Sequence, residues 1–167
     1  MIQAAVLTIS DSVAAGTRED KSGRDLAVRA QELGWTVCSQ AVTNDDRQSI
    51  GSAISPLAHS GDVDVILTTG GTGVALRDVT PEAVGAIADR EIPGLGELMR
   101  AEGRKSTKFA PLSRSAGYTL GSTLILTLPG SPRGAIESLD AVVELIPHVV
   151  DLLHGRTGHA GDSKPST

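Results

Sequence analysis

The sequence predicts an α/β fold: a three-layer αβα sandwich on a mostly parallel sheet with one antiparallel strand. Three observations predict it. Short, near-continuous apolar runs at residues 4–9, 35–42, 63–69 and 123–128 read as strands buried on both faces. Helical patterns at 22–34 and 46–59 separate the first three runs, which makes repeated βα units and a parallel sheet covered by helices. The runs at 115–120 and 123–128 are parted only by Gly121-Ser122, a hairpin spacing that places one strand antiparallel.

Each element follows from local chemistry. The run 4–9 is apolar and ends at Ser10, and the helix 22–34 carries Leu26, Ala30 and Leu33 on one face before stopping at Gly34. The strand 35–42 contains Cys38, whose setting points to burial. In the helix 46–59, Ile50, Ala53, Ile54 and Leu57 face inward. Thr80-Pro81-Glu82 reads as a helix start, with Thr80 as N-cap, Pro81 in the first turn and Glu82 where the dipole favours negative charge. Helices at 81–89 and 95–104 are separated by Ile92-Pro93-Gly94, and a closing helix at 132–154 is interrupted at Pro147. Residues 1–154 read as one domain. Residues 155–167, rich in Gly, Ser, Thr and Lys with no apolar period, read as a flexible tail.

Composition removes several function classes. A net charge of −5 with both signs interspersed lacks the basic face of a nucleic-acid binder. Aromatic residues make up 2% of the chain, too few for base-stacking platforms. One cysteine allows no disulfide within the chain and fits a reducing cytoplasm. The N-terminus enters a strand-like run without a basic leader, and no apolar run approaches membrane-spanning length, so no membrane partner is expected.

In open sheets of this kind ligands bind beyond the carboxyl ends of the strands, so the polar loops there are the candidate site. After the first strand come Ser10-Asp11-Ser12 and the loop 16–23; after the second, Asn44-Asp45-Asp46; after the third, Gly70-Gly71-Thr72-Gly73 and Asp78; after the last, Pro129-Gly130-Ser131. Glycines interleaved with hydroxyls let backbone N–H groups approach an anion closely. A nearby isolated carboxylate adds a divalent-metal ligand, which together suggests phosphate chemistry. Each element also has a plainer reading. The glycine run matches neither a Walker loop nor a dinucleotide fingerprint, and taken alone it is also what a tight turn looks like. Asp46 fits a helix cap and Asp45 the site. Arg77 and Arg114 are either solvated charges or phosphate ligands. His59, His148, His154 and His159 show no metal-ligand spacing and read as helix-end or tail residues.

These motifs, with Asp20-Lys21-Ser22-Gly23, Arg77-Asp78-Val79-Thr80-Pro81-Glu82, Pro93-Gly94-Leu95-Gly96-Glu97 and Leu112-Ser113-Arg114, resemble in order the molybdopterin adenylyltransferases of molybdenum-cofactor biosynthesis. The resemblance covers nearly the whole chain except its tail. It implies a homotrimer that uses MgATP to adenylylate molybdopterin, releases pyrophosphate and hands adenylyl-molybdopterin to a molybdate-insertion enzyme. By motif, the two functional aspartates are Asp45 and Asp78, holding Mg²⁺. Cofactor and substrate contacts then fall on Ser10, Asp11, Ser12, Ser22, Gly23, Gly70, Gly71, Thr72, Gly73, Ser113, Arg114, Pro129, Gly130 and Ser131. Where many relatives carry Pro, this chain has Asn44. Three other readings of the same loops are a molybdopterin carrier without turnover, a nucleotide pyrophosphatase of the related competence-damage type, and a scaffold module.

Overall fold

The computed structural model describes residues 1–156. Its sheet has six strands in the order β2-β1-β3-β6-β5-β4: β1 (Gln3–Ile9), β2 (Thr36–Thr43), β3 (Val65–Thr69), β4 (Arg90–Ile92), β5 (Ala116–Leu120) and β6 (Thr123–Leu128). The pairs β1·β2, β1·β3 and β3·β6 are parallel, and β5 runs antiparallel to both β6 and β4. The sheet is therefore mixed but mostly parallel, with β5 as its reversed strand.

Alternation along the strands builds two apolar layers. Ala4, Val6, Val65, Leu67, Leu124 and Leu126 face one side, under α2 (Lys21–Glu32), α5 (Pro93–Gly103), α6 (Pro132–Val142) and α7 (Ile146–Leu153). Ala5, Leu7, Ile66 and Ile125 face the other, under α3 (Arg47–His59) and α4 (Thr80–Ile87). Aliphatic side chains fill both layers, as the scarcity of aromatics requires.

Several local readings change. A short helix, α1 (Asp11–Ala14), stands in the first polar loop, capped by the Ser10 hydroxyl at 3.3 Å from the Val13 N–H. β4 occupies the gap expected between two helices, where three residues are too few to show a period. The break in the closing helix comes at the 3₁₀ turn Val143–Leu145, ahead of Pro147, which then sits in the first turn of α7 where its missing N–H costs nothing. Thr80 does not cap α4; its buried hydroxyl donates instead to the Gly70 carbonyl at 2.9 Å. Cys38 is exposed rather than buried, because β2 is an edge strand with little covering it, and its thiol donates to the Ala4 carbonyl. Of the expected tail, residues 157–167 lie outside the described residues, and His159 with them. Among the described residues, no helix is long and apolar enough to cross a membrane.

Candidate active site

The chain leaves β1 towards β2 on one side and leaves β3 towards the other, so the covering elements part at the carboxyl ends of β1 and β3. A cavity of about 790 Å³ opens there. Its floor is close-packed backbone. Gly70 has φ +113°, its N–H donates to the Leu128 carbonyl at 3.1 Å, and a Cβ on it would stand 2.2 Å from the Ile9 carbonyl oxygen. Only glycine fits where three strand ends meet so closely.

The carboxylates come from three loops. Asp46 caps α3 through the Ser49 N–H at 2.8 Å, which frees Asp45 for the cavity. Asp45 and Asp11 then clasp each other: the Asp45 N–H donates to Asp11 Oδ1 at 3.1 Å, and the Asp11 N–H to Asp45 Oδ2 at 3.3 Å. Asp78 accepts the Ala75 N–H at 3.0 Å, closing a turn that aims it at the same space. A Cβ on Gly71 would lie 2.3 Å from the Thr80 hydroxyl and 3.2 Å from Asp45 Oδ1, so this glycine is what lets the loop lie against Asp45. Burial pushes the Asp45 carboxyl up, the Asp78 charge pushes it further, and Arg18 pulls it partly back.

The residues nominated from sequence divide into two groups. Ser10, Asp11, Ser12, Ser22, Asp45, Gly70, Gly71, Asp78, Gly130 and Ser131 line the cavity. Gly23, Thr72, Gly73, Ser113, Arg114 and Pro129 do not. Gly23 gives its N–H to Asp20, and Pro129 accepts the Thr69 hydroxyl at 2.7 Å. Ser113 donates to the Ser115 hydroxyl at 3.0 Å. Arg114 underpins the glycine loop: its N–H donates to the Thr72 carbonyl at 2.8 Å, Nε to the Gly73 carbonyl at 2.8 Å and Nη2 to the Asp78 carbonyl at 2.6 Å, while Nη1 pairs with Glu82. Arg77 pairs with Asp11. Neither arginine is free for a phosphate in this arrangement.

Sequence reasoning left out Thr8 and singled out neither Thr69, within its glycine motif, nor Arg18, within the loop 16–23; all three line the cavity. It placed Asp20 only within a motif. Asp20 caps α2 through the Gly23 N–H at 2.9 Å and accepts the Thr8 hydroxyl at 2.7 Å, and an Asp three residues before a helical glycine was the available signal.

Mg²⁺ binds through one or two carboxylates plus phosphate and water oxygens. Two carboxylates that line one cavity, Asp45 pushed up by burial and then by the Asp78 charge, fit that ion. Among the described residues no group of three or more His, Cys, Asp or Glu forms a complete cage, so a ligand's own oxygens have to supply the rest.

A family model described as "Probable molybdopterin binding domain" matches residues 5–148. The chain belongs to this molybdopterin-binding domain family. It is 37% identical over 156 residues to the molybdopterin adenylyltransferase of Helicobacter pylori strain J99, covering 92% of this chain and 89% of the relative. It is 42% identical over 137 residues to molybdenum cofactor biosynthesis protein B of Bacillus cereus, covering 81% and 79%. The solved structure of the molybdopterin biosynthesis enzyme MoaB from Thermus thermophilus superposes with a TM-score of 0.87 at 41% identity, covering 93% of this chain and 98% of that one. The CinA protein of Thermoplasma acidophilum, 19% identical with a TM-score of 0.66, shares the fold. Family membership therefore rests on most of the chain.

Proposed function

We propose that this family member is a molybdopterin adenylyltransferase. The phosphate of molybdopterin attacks the α-phosphate of ATP, the bond to the β-phosphate breaks, and pyrophosphate leaves with adenylyl-molybdopterin as product. The observation that carries this reading is the convergence of Asp45 and Asp78 beside a glycine loop at the switch point of the sheet. A curated relative of known reaction class, similar over nearly its full length, supports it.

Nucleotidyl transfer depends on positioning and charge neutralisation more than on a covalent nucleophile. Asp45 and Asp78 would hold Mg²⁺, which when bound supplies the positive charge that phosphate oxygens need. Gly71 offers close backbone approach beside Asp45, and Ser10, Ser12, Ser22 and Ser131 offer hydroxyls around the rim. Arg114 acts from beneath, by fixing the glycine loop. The reading extends to a cytoplasmic homotrimer that passes its product to a molybdate-insertion enzyme, as the family resemblance implies.

The test is pyrophosphate release from MgATP with and without molybdopterin. Release is expected to require molybdopterin and to fall by at least about a hundredfold in Asp78→Asn, which keeps the fold because the side chain lies on a loop. Near-normal turnover in that variant would remove Asp78 from the mechanism. A second reading is a molybdopterin carrier without turnover. Tight molybdopterin binding without release would favour it, and release from free nucleotides alone would favour a pyrophosphatase.

A further inference from the structure

Three arginines on the elements around the cavity are committed in pairs. Arg77 is taken by Asp11, Arg114 by Glu82 and Arg24 by Glu19. Asp20 is occupied by the Thr8 hydroxyl and the Gly23 N–H. What remains is unbalanced: Asp45 and Asp78 have no cation in contact, and Arg18 and Lys21 line the same cavity with no ion-pair partner among the described residues.

The base of Arg18 is fixed while its head is free. The Ser12 carbonyl accepts from the Thr17 N–H at 2.9 Å, the Thr17 hydroxyl at 3.0 Å and the Arg18 N–H at 3.2 Å, so the backbone beneath the side chain is held by three bonds to one oxygen. Lys21 also lines the cavity, but it sits in the first turn of α2 and carries an ammonium. Arg18 is thus the cavity's one uncommitted guanidinium among the described residues. A phosphate chain drawn to Asp45 and Asp78 by a divalent ion still carries excess negative charge, and a guanidinium meets two phosphate oxygens at once as an ammonium does not.

We propose that Arg18 is the phosphate-chain residue of the nucleotide subsite: its guanidinium binds the β- and γ-phosphates of ATP, the part released as pyrophosphate. Adenosine and molybdopterin are left to other residues. The inference rests on the adenylyltransferase reading and adds to it the residue that recognises the leaving group.

Calorimetric titrations of the full chain in excess Mg²⁺ test it, with ATP, inorganic pyrophosphate and adenosine as separate probes. Arg18→Ala is expected to weaken ATP and pyrophosphate binding by about tenfold or more, the loss of a charge-assisted contact, and to leave adenosine unchanged. Arg18→Lys should recover part of the loss. Both variants should melt with the wild type, since Arg18 is exposed. Unchanged ATP affinity in Arg18→Ala, or an equal loss for adenosine, overturns the assignment while the adenylyltransferase reading stands. A wild-type protein that binds neither MgATP nor pyrophosphate overturns both.

Discussion

The two loops that face each other across the cavity are tied in different ways. The loop after β3, residues 70–79, is bound to other elements on either side of its exposed tip 74–77: Gly70 to the Thr80 hydroxyl, Gly71 to the Thr80 N–H, Thr72, Gly73 and Asp78 to Arg114. The loop after β1, residues 10–20, is held mostly by its own turns, through α1, the three bonds to the Ser12 carbonyl and Asp20, with the Asp11–Asp45 clasp at its start, and its residues 14–19 are exposed. The difference matches what each side carries. Asp78 has to stay near Asp45 although the two repel, and only a rigid seat keeps like charges together without a bound ion. An arginine that follows an incoming anion needs a fixed root and a free head. Pre-organisation is thus concentrated where repulsion would otherwise undo the site.

Breaking the rigid side should produce the largest effect. Gly70→Ala puts a Cβ 2.2 Å from the Ile9 carbonyl at φ +113°, and neither backbone can yield without parting strand ends. Denaturant unfolding should show a loss of about 3 kcal/mol or more. Gly16→Ala makes the corresponding change on the open side, at φ +73° with nothing within 4 Å of the new atom. Only backbone strain remains there, and the expected loss is about 1 kcal/mol in the same experiment. Equal losses at the two glycines would erase the contrast between the loops.

The sequence disclosed the rigid side far better than its supports. Gly70, Gly71, Asp45 and Asp78 were legible because strand, glycine run, cap and carboxylate follow one another locally. Asp46 could be set aside as a cap from its place before α3 alone. Arg114 was not legible: its partners lie 32 to 41 residues away, and a solvated arginine, a phosphate ligand and a loop clamp look identical in one dimension. Arg18 was not singled out from its loop for the converse reason, since its distinction is that among the described residues it stays unpaired where Arg24, Arg77 and Arg114 have paired. The Cys38 expectation failed on strand order. An apolar run does not say whether its strand lies inside the sheet or at its edge, and β2 is at the edge.

The smallest effect separates two ways in which Arg114 could hold the loop. Burial pushes the Glu82 carboxyl up, but the Arg114 hydrogen bond and charge outweigh it, so the group sits below the ordinary carboxylate value. A carboxyl whose folded value is depressed contributes stability above its unfolded value, and that contribution disappears as pH falls through the folded one. Arg114→Gln removes the guanidinium and leaves burial opposed only by the Glu82 backbone N–H and the Arg47 charge, so the Glu82 carboxyl rises from its depressed value. The melting-temperature gap between wild type and Arg114→Gln should therefore be widest near neutral pH and narrow on acidification through the carboxylate range. Both side chains are about one-third exposed, so solvent screens the pair and the narrowing should be modest. A gap that stays constant down the pH scale would mean that the bonds to the Gly73 and Asp78 carbonyls carry the whole of the clamp, and that Glu82 contributes no charge to the seat of Asp78.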